Sequence, residues 1–311
     1  MRRLGKRHEL GWTAAILGAL AALAFLPLAV RRDDVLNFVF LVLLSITLAE
    51  SWNIVAGYAG QVNLGHAAFF GLGALVARAL WIGGVPVVLA MGAGALVATA
   101  FALAIGVAAF RLHGAYFAIG TLALGEILRT TVGNVLSEIS TLPTATIAAY
   151  RLSHRYYLAL ALAAVSVAAV AALGASRIGL GMQAIREDEE AAEASGVGAL
   201  GLKLTALALS TGLAGLAGGL FAYYHISYYP SHPFSPHWTF DALLMTFIGG
   251  VGTLQGPVLG AVLYVFLKEY LALRWVDFHL LIFGALFIAI VLLLPGGLVQ
   301  AVERARRLLA R

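Results

Sequence analysis

Apolar residues run along this chain in long, nearly unbroken stretches, not in the one-sided patterns of a water-soluble fold. Gly11 to Val30 carries no charge, and further segments follow at about 35–57, 64–83, 86–110, 114–133, 155–176, 203–224, 240–254, 256–273 and 277–295. A helix needs about 20 mostly apolar residues to cross the hydrocarbon core. The pattern therefore predicts an all-α integral membrane protein of about ten transmembrane helices, forming one transmembrane domain over residues 1–311. Segments 240–254 and 256–273 are short and broken by glycine, so one of them is a candidate re-entrant segment.

One stretch stands apart. Between Ser176 and Lys203, five of the fifteen acidic residues fall within seven positions: Glu187, Asp188, Glu189, Glu190 and Glu193. Each charge at mid-membrane costs roughly 2.5–3.5 kcal/mol on insertion scales, so this loop, about residues 177–203, lies in water. Met182, Ile185, Glu189 and Ala192 recur at helical spacing and predict one helix over Gly181–Ser195. Gly196 stands where a left-handed residue would stop it.

Composition agrees with the apolar pattern. The chain is 61% hydrophobic and only 11% charged, where a soluble domain carries about a quarter charged residues. The net charge of +5 does not point to nucleic acid, because membrane proteins gather Lys and Arg on the cytoplasmic side. With no cysteine there is no disulfide or thiolate metal site, and no GxxxxGK[ST] supplies a phosphate loop. A cofactor is not expected in this chain. Ten crossings put the N-terminus, Arg111, the acidic loop and the C-terminal tail on one side with twelve Lys and Arg, against seven on the other. That bias predicts cytoplasmic N- and C-termini, with Gly11–Val30 a retained first helix instead of a cleaved signal.

Inside the second and third segments, NIVAGYAGQVNLGHAAFFGLG (53–73) interrupts the apolar run with glycines and with Gln61, Asn63 and His66. Irregular backbone at membrane depth survives only where protein or a watery cavity satisfies it, and transporters often build their substrate path there. Asn63 is placed to cap a helix starting near Leu64, leaving N–H groups free for a carboxylate. The same residues also fit close helix packing, with His66 bonded inside the bundle.

Four collinear stretches give these features a family. GYAGQVNLGHAAFFGLGA (57–74), RLHGAYFAIGTLALGEIL (111–128), SRIGLGMQAIREDEEAAEASGV (176–197) and DALLMTFIGGVGTLQGPVLG (241–260) resemble the signatures of the branched-chain amino-acid ABC transporter permease family, of the LivM type. Glu190-Ala191-Ala192 with Gly196 also resembles the EAA loop by which ABC importer permeases engage an ATPase. The resemblance implies an ABC importer permease bundle in a bacterial inner (plasma) membrane. It implies a second permease subunit of the LivH type, two ATPase subunits that use ATP and Mg, and an external solute-binding protein. By the same resemblance Ile185, Arg186, Glu187, Glu190, Ala191, Ala192 and Gly196 would couple to the ATPase. Gly60, Gln61, Asn63, Gly65, His66, Glu126, Asp241, Gly249, Gly250 and Gly252 would be candidates for the translocation path.

Several charges need their own account. Glu126 and Arg129 are three apart and can pair on one helix face. Glu50 sits mid-segment with no evident local partner. Gly212, Gly215, Gly218 and Gly219 form a small-residue surface for a close helix neighbour, in this chain or in the sister permease. His225, His232 and His237 are separated by Pro230, Pro233 and Pro236, so no continuous helix presents all three to a metal. A self-contained secondary transporter or channel is the alternative reading, and it would need intramembrane acids that here are sparse.

Overall fold

The computed structural model describes residues 2–30, 32–149 and 152–274, with scattered positions from Leu281 to Arg304. The segment expected at 277–295 and most of the C-terminal tail lie outside the described residues.

The elements in order are α1 (Arg2–Leu23), α2 (Leu26–Ala29), α3 (Asp33–Asn53), a π-turn (Ile54–Tyr58), α4 (His66–Ile82), α5 (Val87–Ala109) and α6 (Ala115–Val135). Then come β1 (Ser140–Thr141), α7 (Thr144–Ala149), α8 (Leu152–Ala175), α9 (Arg177–Glu187), α10 (Glu189–Ala194) and α11 (Ala199–Tyr224). The remainder is β2 (Ser227–Tyr228), a 3₁₀ turn (His232–Phe234), α12 (Pro236–Gly249) and α13 (Gln255–Arg274). Among the described residues, five helices are long and apolar enough to cross a membrane: Gly11–Ala29, Asp33–Tyr58, Val87–Ala109, Ser153–Ala175 and Ala199–Tyr224. The expected count of about ten is not confirmed among the described residues. The 17 residues of α4 and the 14 of α12 fall short, since 14 residues rise only about 21 Å. α6 and α13 carry charged residues within their length.

Two helices organise the bundle. α3 is buried along its second half, from Leu43 to Asn53, and packs against α8, α11, α12 and α13. α11 packs against α3, α4, α5 and α8. The glycine surface of α11 finds its neighbours within this chain. A methyl group on Gly218 would strike the Phe70 carbonyl of α4, and one on Gly215 would meet Ala95 of α5. Such contact brings backbones together and replaces side-chain packing.

The all-α expectation needs one small addition. β1 and β2 pair antiparallel, Ser140 opposite Tyr228 and Thr141 opposite Ser227. Arg78, on α4, holds this ribbon. It is 2% exposed, and its five N–H groups donate to Ser140 Oγ (3.0 Å), Ser140 O (2.8 Å), Ala222 O (3.1 Å), His225 O (2.9 Å) and Ile226 O (2.6 Å). Its guanidinium also lies 5.2 Å from the Tyr228 ring centre. One buried cation thus closes the carbonyl end of α11 and both strands, which satisfies groups that would otherwise be orphaned. Next to it, burial pushes the Tyr228 hydroxyl up to about 12 and holds the His225 and His232 imidazoles below their ordinary value. His232 stacks on Phe221 and His225 packs against the same ring at a tilt, whereas His237 faces Asp241 and Lys268.

Candidate functional site

The acidic loop folds as two helices, where the spacing suggested one. Asp188 is extended (φ −159°, ψ 110°) and separates α9 from α10. Its Oδ1 accepts the Ala191 N–H at 3.0 Å, and Glu189 and Glu190 occupy the first turn of α10. An aspartate that caps the next helix while two glutamates meet its positive end outweighs the continuous helical propensity around it. Gly196 ends α10 as expected, at φ +85°. Upstream, Ser176 caps α9 by accepting the Gly179 N–H at 3.0 Å.

This loop is anchored at four points. Met182 is fully buried in the main core. Ile185, Ala192 and Ala199 form a separate cluster with Val197 and Leu202. Lys203 is buried, donates to Glu189 Oε1 at 2.5 Å and lies 5.8 Å from the Phe110 ring centre, so α10 is tied to the end of α5. Glu187, Glu190, Ala191 and Gly196 remain exposed.

The fourth anchor joins regions far apart in sequence. Arg186, near the end of α9, donates Nη1–H to the Gly57 carbonyl at 2.5 Å. Gly57 belongs to the π-turn that ends α3, where the ordinary i−4 ladder is lost and carbonyls come free. Gly60 (φ +70°) lies against the Arg186 Cα and side chain, and Gly252 (φ +77°) against its guanidinium. Asn53 closes the other side: Oδ1 accepts the Gly252 N–H at 2.8 Å, and Nδ2 donates to Thr253 O at 2.9 Å and Glu50 Oε2 at 3.3 Å. Three of the four signature stretches therefore meet at one side chain. The Gly249–Gly252 turn itself is closed by backbone contact between Gly249 and Gly256.

Glu50 does have a local partner, in Asn53. It is fully buried, and its Oε1 has no hydrogen-bond partner among the described residues.

The break between α3 and α4 is held by polar side chains from several helices. His66 Nε2 and Ser51 Oγ are 2.8 Å apart, and the Trp52 Nε1–H donates to Asn63 O at 2.9 Å. The Leu64 N–H reaches Thr121 Oγ1 of α6 at 3.1 Å, and the Ala67 N–H reaches Thr239 Oγ1 of α12 at 2.8 Å. Asn63 does not cap α4 as expected. It accepts the Gly65 N–H at 2.9 Å, two residues on, and the helix starts at His66. A short Asx turn serves that amide better than a cap would. The N–H groups of Leu64 and Ala67 bond to threonines from neighbouring helices. Asn63, Gly65 and His66 are buried, while Gly60 and Val62 are exposed and Gln61 is half-buried.

Asp241 and Glu126 lie elsewhere. Asp241, nearly buried on α12, accepts from Lys268 Nζ at 2.9 Å and from the Tyr264 hydroxyl, both on α13, so its carboxylate joins the two helices of that hairpin. Glu126 pairs with Arg129 on α6 (Oε2–Nε 2.8 Å), and both side chains are open, at 39% and 44%. Sequence reasoning missed Asn53, Arg78, Thr121 and Thr239. The visible signal was a polar residue inside an apolar run, which flags burial but not the partner.

The chemistry available at this junction is hydrogen bonding and charge, placed where helices are interrupted inside an apolar bundle. That layout fits a multi-pass membrane protein whose helices are interrupted within the apolar bundle. Residues 34–291 match the family model described as the branched-chain amino acid transport system / permease component, and the chain belongs to that family. It is similar to the high-affinity branched-chain amino acid transport system permease protein LivM of Escherichia coli, 28% identical over 305 residues, covering 88% of this chain and 71% of the relative. The corresponding LivM of Salmonella typhimurium is 27% identical over the same coverage. A probable LivM of Methanocaldococcus jannaschii is 27% identical over 133 residues, 38% of each chain. No solved structure matches.

Proposed function

We propose that this chain is the membrane-spanning subunit of an ABC importer for branched-chain amino acids or related small polar solutes. It works in a bacterial inner membrane with a second permease of the LivH type, two ATPase subunits that bind ATP and Mg, and an external solute-binding protein. The N- and C-termini and the α9–α10 loop face the cytoplasm, as the Lys and Arg bias supports. Residues 1–311 act as one transmembrane domain, with an aqueous path near Gly60, Gln61, Asn63, Gly65, His66, Glu126, Asp241, Gly249, Gly250 and Gly252.

The observation that carries this reading is the Arg186–Gly57 bond. A charged loop bearing Ile185, Arg186, Glu187, Glu190, Ala191, Ala192 and Gly196 holds, through one guanidinium, the free carbonyl of the interrupted α3 and the glycine turn after α12. A push on α10 reaches the helix break through these contacts and the Lys203–Glu189 pair. ATPase closure would then reset the break between outward and inward access.

The test uses the assembled complex in proteoliposomes. Gly196→Asp and Glu190→Lys should abolish substrate-stimulated ATP hydrolysis while the permease stays folded and assembled. Normal stimulation in both variants would remove the loop from the mechanism. ATP-independent uptake by this chain alone would overturn the reading altogether.

A further inference from the structure

We infer that the Arg186 guanidinium has two seats on α3: the Gly57 carbonyl it holds here, and the Glu50 carboxylate, which it takes when the π-turn tightens. This rests on the transport reading above and names the switch by which the α9–α10 loop acts on the helix break.

Both groups are mismatched in the present arrangement. Glu50 is fully buried and accepts only from Asn53 Nδ2, at 3.3 Å, while its Oε1 has no partner among the described residues. The Asn53 amide already serves Thr253 O at 2.9 Å, and the Gly252 N–H on Oδ1 fixes its orientation, so the asparagine does not need the acid. A buried carboxyl group bonded so poorly is costly, and a neutral side chain would fill this place as well. Arg186 forms no ion pair among the described residues, and its guanidinium is spent on a neutral carbonyl.

Asn53 stands between the two. Glu50, Asn53 and Gly57 occupy positions i, i+3 and i+7, on one face of the helix. A methyl group on Gly57 would strike Asn53 Oδ1, and one on Gly252 would strike Arg186 Nη1. Carboxyl group, amide, glycine turn and guanidinium therefore form one continuous line of contacts.

The backbone supplies the second arrangement. The Gln61 N–H bonds to Val55 O at 2.9 Å, six residues back, which leaves Gly57 O to Arg186. In an α-helical continuation the Gln61 N–H would bond to Gly57 O, the i−4 carbonyl. Two donors thus compete for one acceptor. Gly60, at φ +70°, is the joint that must turn, and glycine passes between left- and right-handed regions without steric cost. π-turns are frequent at functional sites, and the slide of one element past another by a turn, about 5.4 Å, is an established switching motion. When the turn tightens, Gln61 takes the carbonyl, Arg186 is released, and Glu50 Oε1 is the anionic acceptor on that face. A guanidinium bonds a carboxylate more strongly than a neutral carbonyl, which holds the second arrangement.

The experiment uses Arg186→Lys in the reconstituted complex, treated with a membrane-permeant carbodiimide that condenses an amine with a carboxyl group in contact. Products are read by mass spectrometry in the nucleotide-free complex and in the complex trapped with ATP and vanadate. The Lys203–Glu189 pair should cross-link in both and reports that the reagent enters. A cross-link between positions 186 and 50 should rise at least about tenfold on trapping, as a shift between two populated arrangements requires. It should vanish when Glu50→Gln is added. Glu50→Gln alone keeps an acceptor for Asn53, so melting temperature and assembly should hold while substrate-stimulated ATP hydrolysis falls toward the unstimulated rate. No 186–50 cross-link on trapping, where the 203–189 product forms, overturns the inference. Equal 186–50 yield in both states overturns it, as does full stimulation in Glu50→Gln or a loss that tracks lost stability. Absence of substrate-stimulated ATP hydrolysis in the wild-type complex overturns the transport reading, and this inference with it.

Discussion

Arg186 and Gly57 are separated by 129 positions in the chain and joined by one 2.5 Å hydrogen bond. The donor sits near the end of α9, within the exposed charged loop, and the acceptor is a carbonyl released where α3 relaxes into a π-turn. The contact converts a surface feature into a handle on the interior.

Shortening that handle should uncouple the molecule without unfolding it. Arg186→Ala is expected to express and assemble, because the loop keeps its Met182, Ile185 and Lys203 anchors. Substrate-stimulated ATP hydrolysis should fall to the unstimulated rate in the reconstituted complex. Arg186→Lys should retain part of the stimulation, since an ammonium reaches one carbonyl but cannot lie against Gly252 as well.

Gly252 tests the same contact from the other side. At φ +77° an added Cβ costs about 1–2 kcal/mol of backbone strain. It would also strike the Arg186 guanidinium and the Gly57 carbonyl. Gly252→Ala should therefore lower the melting temperature clearly more than Gly84→Ala, where φ is +89° but the space is open. Equal shifts in thermal unfolding would show that the crowding has no consequence.

Arg78 predicts a structural failure at the opposite end of α4. Arg78→Lys keeps the charge yet offers at most three donors against five carbonyl and hydroxyl acceptors, so buried acceptors lose their partners. Each orphaned group costs about 1–3 kcal/mol. The expected result is a marked fall in melting temperature, with protease cleavage appearing between Leu136 and Pro143.

Acidity should loosen this same end. Burial holds His225 and His232 below the usual imidazole value, so the unfolded chain takes up protons at a pH where the folded one does not. Their contribution is complete above about pH 6.5 and declines as pH falls below it. Thermal unfolding followed by tryptophan fluorescence should show lower stability at pH 5 than at pH 7.5. Replacing both histidines with glutamine should narrow that gap.

The apolar runs located nearly every helix, because burial in lipid or in the bundle leaves its mark on each residue in turn. α11 begins at Ala199, four residues before the expected start, since Ala199 and Leu202 pack into the loop cluster. What the linear pattern could not carry was partnership. Asp188 reads as one more acid in a helical stretch until its carboxylate is seen on the Ala191 N–H. Asn53, Arg78 and Thr239 are polar residues in apolar runs, and their roles depend on groups up to 200 positions away. The four signatures appeared as separate beads, and only folding brings three of them to Arg186.

The bare seam between α11, α4 and α5 sets the mechanical character of the molecule. Where peptide groups touch, at Gly218 against Phe70 and at Gly73 against Gly215, no side chain lies between these rods to cushion relative sliding. They travel as one stiff keel, and bending is left to the jointed segment from Ile54 to Gly65.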